Sequence, residues 1–166
     1  VDNLAQLDDW AELWDGREIL LRLDLGRGLG HHDKVKTGGE KSKFGIGLAD
    51  LEQAVASVRR AGATVVGLHA HLGSGIFDVG HWKSVYSDLA ALAERFPALR
   101  FLDIGGGLGV PHEPGEPALD LQELDAALAE VKAMYPRYQL WIEPGRYLVA
   151  EAGVLLARVN QTKRKS

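Results

Sequence analysis

Two histidines stand one residue apart in His69-Ala70-His71, and a Gly73-Ser74-Gly75 turn follows almost at once. Further along come Gly105-Gly106-Gly107 and then Glu143-Pro144-Gly145-Arg146. Consecutive glycines let backbone N–H groups converge on an anion, because no Cβ blocks the approach. The Ser74 hydroxyl and its neighbouring amides could bind phosphate in the same way. For each of these turns the plain alternative is simply a tight bend. Gly107-Leu108-Gly109 runs into a loop rather than a helix, so the dinucleotide fingerprint is rejected. Glu143 and Arg146 could pair with each other, or they could serve one ligand with two poles: the guanidinium for an anion, the carboxylate for a protonated nitrogen. His69 and His71 offer part of a metal site, and a third ligand would have to come from His31, His32, Asp103 or Glu143. No HExxH-type spacing supports a metal, and none is expected. A histidine stacked on a planar ligand is the favoured reading, with a buried, hydrogen-bonded histidine the alternative for His69.

These groups need a scaffold. Leu4 to Trp14 has apolar residues at helical spacing. Ile19 to Leu25 reads as a strand, and a Gly-, His- and Lys-rich loop runs from Gly26 to Gly47. Asp50 is placed to cap a helix carrying Leu51, Ala54, Val55 and Val58, which Gly62 ends. Thr64 to Leu68 is strand-like. His81 to Phe96 is helical, with Val85, Leu89, Leu92 and Phe96 on one side, and Pro97 stops it. Leu99 to Ile104 is strand-like. Asp120 to Met134 is helical, with a Leu121, Leu124, Leu128 and Val131 stripe and a capping-box pattern at Asp120 and Glu123. Gln139 to Glu143 is the next strand. Strand alternating with helix at short intervals means parallel β/α architecture. Side chains alternate faces along a strand, so Arg22, His69 and His71, Asp103, and Glu143 each lie opposite aliphatic neighbours near a strand's C-terminal end. Sites are built at that end of parallel sheets. The expected fold is α/β, a partial (β/α)8 TIM-type barrel of about four β/α units with parallel strands. A compact open sheet of four or five strands is the alternative.

Composition removes several function classes. The 166 residues are the size of one domain, and a net charge of −4 gives no electrostatic support for binding nucleic acid or an anionic membrane. The basic cluster Lys163-Arg164-Lys165 reads as a solvated tail. No apolar run reaches transmembrane length, and the start shows no signal-peptide pattern. Without cysteine there is no disulfide framework, thiolate nucleophile or cysteine-based zinc site. A cytoplasmic location fits best.

A ligand that would use all these parts carries a phosphate, a flat ring and a cationic ring nitrogen. Pyridoxal 5'-phosphate (PLP) fits that description. The motifs also resemble the barrel domain of the fold-type III PLP decarboxylases. The resemblance rests on LLRLDLGRGLGHHDKVKTGGEKSKFGI (Leu20 to Ile46), HAHLGSGIFD (His69 to Asp78), DIGGGLG (Asp103 to Gly109) and EPGR (Glu143 to Arg146), in the family's order across nearly the whole chain. The segment GHHDKVKTGGEKSKFGI points to the branch that acts on diaminopimelate.

The resemblance implies roles. His71 would stack on the pyridine ring. Ser74, Gly105, Gly106, Gly107 and Gly145 would hold the cofactor, mainly its phosphate. Glu143 would keep the ring nitrogen protonated, and with His71 forms the implied catalytic pair. Arg146 would reach the phosphate and the substrate, and Arg22 would lie near the cofactor. The implied reaction is decarboxylation of meso-diaminopimelate to lysine by a homodimeric parent, with a small amino acid as substrate. The family's Schiff-base lysine is expected upstream of Val1, since Lys34, Lys36, Lys41 and Lys43 lie in the loop and Lys83 and Lys132 in helices. Residues 1–153 would be the C-terminal half of the barrel, and residues 154–166 the start of a crossing to an absent C-terminal β-domain, so the chain alone is expected to have little activity. The alternatives are a non-catalytic module that binds PLP or another phosphate ligand, and a related ornithine- or arginine-type decarboxylase or amino-acid racemase.

Overall fold

A computed structural model describes residues 1–26, 29–30, 43–113 and 115–164, with the backbone alone at 29–30. Most of the Gly26 to Gly47 loop, with His31, His32, Lys34, Lys36 and Lys41, lies outside the described residues, as does Lys165.

The expected first helix is two: α1 (Leu4–Asp9) and α2 (Ala11–Trp14), broken at Trp10, whose φ of −127° is not helical. Asn3 and Gln6 close a capping box at the start of α1. Strand β1 (Glu18–Asp24) follows, then the short β2 (Leu29–Gly30) and β3 (Ile46–Gly47). A 3-10 turn over Leu48–Asp50 leads into α3 (Leu51–Arg60). Asp50 occupies the N-cap position, but its side chain makes no capping bond, because the turn already winds the chain into the helix. Gly62 stands just past the end of α3 at φ +68°, the left-handed conformation that glycine tolerates best.

Strand β4 (Thr64–His69), β5 (Gly73–Ser74), α4 (Gly80–Ala93), β6 (Phe101–Gly106), α5 (Leu121–Met134), β7 (Gln139–Glu143) and α6 (Gly145–Val149) complete the order. Helix α4 stops three residues before the expected Phe96, and β6 starts two residues after Leu99, because the Arg95, Phe96 and Leu99 amides bond back to Leu92, Ala93 and Phe96 in successive turns. Asp120 caps α5 by accepting from the Gln122 and Glu123 amides. Leu121 lies outside the buried stripe at 47% exposure, whereas Leu124 and Val131 are buried.

The main sheet runs β3-β1-β4-β6-β7 with every pairing parallel, and β2 pairs with β5 in a second, two-stranded sheet. This is the sheet of a partial barrel. Leu21, Leu23, Leu68, Leu102 and Ile104 form its buried aliphatic face with α3 and α4, whose Leu51, Ala54, Trp82, Val85 and Leu89 join the same core. The opposite face carries the polar residues. Arg22 is in register with His69, His69 with Asp103, and Asp103 with Trp141, so one level of the sheet presents them together. Strand β7 is the least covered, with Trp141 and Ile142 partly exposed. After α6 the apolar residues Val154, Leu155, Leu156 and Val159 are in no regular element and are largely exposed. Among the described residues no helix is long and apolar enough to cross a membrane.

Candidate active site at the carboxyl ends of the strands

The two glycine turns are laced together. The Ile76 amide donates to Gly107 O at 2.9 Å, and the Gly109 amide donates to Ile76 O at 2.8 Å. Beneath them the indole Nε1–H of Trp82, from α4, donates to Gly106 O at 3.1 Å in a buried bond. The Gly106 amide donates to His71 Nδ1 at 3.1 Å, and the Gly105 amide to Asp103 Oδ1 at 2.9 Å. Gly105 and Gly106 therefore spend their N–H groups inside the protein in this structure, and their lack of a Cβ has another use. A Cβ on Gly105 would lie 2.7 Å from Ala70 O and 2.9 Å from His71 Nδ1, and one on Gly106 would strike the Glu143 carbonyl. The glycines let β4, β6 and β7 close up at their ends.

That closeness creates a cleft of about 190 Å³, lined by His71, Ser74, Gly75, Gly107, Leu108 and the run Glu143 to Tyr147. Six of the expected site residues thus meet at one place: His71, Ser74, Gly107, Glu143, Gly145 and Arg146. Gly105 and Gly106 are not on the cleft wall, and neither is Arg22, which pairs with Asp2 at 3.1 Å and stacks over Phe44. His71 lies beyond the end of β4, because the Ala70 amide bonds Asp103 O and the chain then turns toward β5. Both histidines still converge on Glu143 Oε2, His69 Nε2 at 3.5 Å and His71 Nδ1 at 3.9 Å.

Burial dominates the electrostatics. It pushes both histidines below their ordinary value, with Arg22 adding to the effect, and it holds the Asp103 carboxyl above its ordinary value. His69, Asp103 and Glu143 bring one ligand-capable atom each within 4.8 Å of one another. Asp103, only 7% exposed, was expected on this face, and the structure makes it a hydrogen-bonded support for the glycine turn. Tyr147 enters the wall without a sequence signal beyond its place next to Arg146.

The pyridoxal binding domain of the pyridoxal-dependent decarboxylases matches residues 1–150. The chain belongs to this family. It is 42% identical over 163 residues to the diaminopimelate decarboxylase of Streptomyces coelicolor, covering 95% of this chain and 37% of that protein. A solved diaminopimelate decarboxylase superposes with a TM-score of 0.74 at 35% identity, covering 89% of this chain and 36% of that one. The Helicobacter pylori diaminopimelate decarboxylase complexed with L-lysine gives 0.76 at 27% identity, covering 91% and 40%. The chain thus spans less than half the length of these decarboxylase relatives.

The donor set fits the family's cofactor. The cleft wall carries a hydroxyl, glycine backbone and a guanidinium, which suit a phosphate, and the Glu143 carboxylate is of the right charge for a protonated ring nitrogen.

Proposed function

We propose that this chain is the cofactor-holding part of a longer PLP-dependent decarboxylase that converts meso-diaminopimelate to lysine. One observation carries the reading: His71, Ser74, Gly107, Glu143, Gly145 and Arg146, drawn from three separate stretches of sequence, line a single cleft. PLP, when bound, supplies an electron-accepting ring that stabilises the charge left when CO2 departs. The chain's own residues prepare for that. Glu143 would hold a proton on the ring nitrogen, His71 would present its imidazole to the ring, Ser74 and Gly107 would orient the phosphate, and Arg146 would neutralise it. Preorganised groups of this kind contribute on the order of 10²–10³ in rate each. We also assign Arg146 to the substrate's carboxylate, on the strength of its place in the cleft wall.

Among the described residues no lysine lines the cleft, and we further propose that another segment of the longer protein supplies the reactive amine. The exposed Val154, Leu155, Leu156 and Val159 support a boundary near residue 153, beyond which the chain would pack on a further domain. We further propose that the whole protein works as a homodimer.

The test uses the full-length protein loaded with PLP and a substrate panel of meso-diaminopimelate, lysine, ornithine and arginine, with CO2 release as the readout. Preference for meso-diaminopimelate is expected. Preference for ornithine or arginine would move the protein to a sister branch, and PLP binding without CO2 from any substrate would favour the binding-module alternative.

A further inference from the structure

Glu143 is the last residue of β7, on the thinly covered side of the sheet, and its side chain is 53% exposed. A carboxylate so placed has several solvent-facing rotamers, and a functional group must be held in one. His69 sits two strands away on β4, with β6 between them. Contact across that gap requires β6 to offer no bulk where the two side chains meet. Gly106, the register partner of Glu143, and Gly105 before it have no side chains. His69 Nε2 is buried and makes no conventional hydrogen bond, and Glu143 Oε2 lies 3.5 Å from it. A buried polar atom left unpaired is costly, which favours a slight closure of this contact.

We propose that His69 is a positioning residue for Glu143: its Nε2–H reaches across the glycine gap in β6 and fixes the carboxylate toward the cleft. This rests on the role proposed above for Glu143. Burial keeps the imidazole neutral at neutral pH, so one ring nitrogen carries a proton to donate and no net charge is added beside the carboxylate. The charged and titratable groups facing the ring are Asp103 on β6, Glu143 on β7, Arg22 on β1, His71, and the Val1 amine. His71 cannot substitute, because its nearer nitrogen already accepts from Gly106.

The test is a double-mutant cycle on the full-length protein stripped of PLP, read by absorbance titration of PLP binding. The variants are His69→Leu, His69→Gln, Glu143→Gln and His69→Leu with Glu143→Gln, each checked for folding by thermal unfolding. His69→Leu should weaken PLP binding by about 10-fold, the low end for partners that orient a functional ligand. His69→Gln, whose amide reaches the place of Nε2, should restore most of it. In the Glu143→Gln background His69→Leu should add little. If His69→Leu does not fold, His69→Asn replaces it, since its shorter amide falls short of Glu143, and the same loss is expected. Unchanged binding in a folded His69→Leu protein, a loss undiminished in the Glu143→Gln background, or a Gln variant as weak as Leu would overturn the proposal. An effect of Glu143→Gln without one of His69→Leu would sink the His69 role alone, whereas no effect of Glu143→Gln would sink the reading of Glu143 itself.

Discussion

The Gly106 amide N–H donates to His71 Nδ1 at 3.1 Å, tying the end of β6 to the turn after β4. An accepting Nδ1 places the proton of neutral His71 on Nε2. Protonating the ring would set a second N–H against the Gly106 N–H and break the tie.

A pH dependence follows. Burial lowers the pKa of both His69 and His71 from an ordinary value near 6.5, so between the folded and unfolded values the unfolded chain binds more protons. Their contribution to stability is complete above about pH 6.5 and is lost as pH falls through the folded values. Asp103 has the opposite sign: its raised pKa lets the folded chain take up a proton first, which returns some stability in more acid solution. Melting temperature measured from pH 8 to pH 5 should fall on the acid side of neutrality, and the His69→Gln, His71→Gln double variant should flatten that fall.

Gly106→Ala should be severe. Its Cβ would be driven into the Glu143 carbonyl, whereas a Cβ at Gly153 meets nothing within 4 Å. Gly106→Ala should lower the melting temperature and weaken PLP binding, because the clash pushes Glu143 out of place. Gly153→Ala should change neither. Calorimetry and absorbance titration together check both.

Trp82→Phe removes the donor to Gly106 O while leaving an aromatic ring in the buried site. A buried carbonyl without its partner costs about 1–3 kcal/mol. Urea denaturation should show a loss in that range.

The two aspartates placed at helix starts should behave differently. Asp120 accepts two backbone N–H groups, so Asp120→Ala should cost about 1 kcal/mol. Asp50 makes no capping bond, so Asp50→Ala should be close to neutral in the same denaturation measurement.

These contrasts show where the sequence was readable. The alternation of β1, with Ile19, Leu21 and Leu23 buried, and the extent of β7 followed directly from period-two patterning. The grouping of His71, Glu143 and Arg146 also followed, because parallel strands bring their carboxyl ends together. What escaped depended on how backbones meet in three dimensions. Nothing in Gly105-Gly106-Gly107 reveals that two of its amides face Asp103 and His71 rather than a ligand, since that is set by the turn after His69. The break at Trp10 and the 3-10 entry to α3 were hidden for a related reason: apolar spacing marks a helix's face but not its interruptions. His69 was visible on the correct face, but its closeness to Glu143 depends on a neighbouring strand lacking side chains at the crossing point.

If one cleft holds the cofactor, a crystal structure of the full-length protein grown with PLP should show it there. The pyridine ring should lie beside His71, its nitrogen hydrogen-bonded to Glu143, and its phosphate held by Ser74, Gly107 and Arg146. A cofactor bound elsewhere, or one whose ring nitrogen meets no carboxylate of this chain, would contradict this.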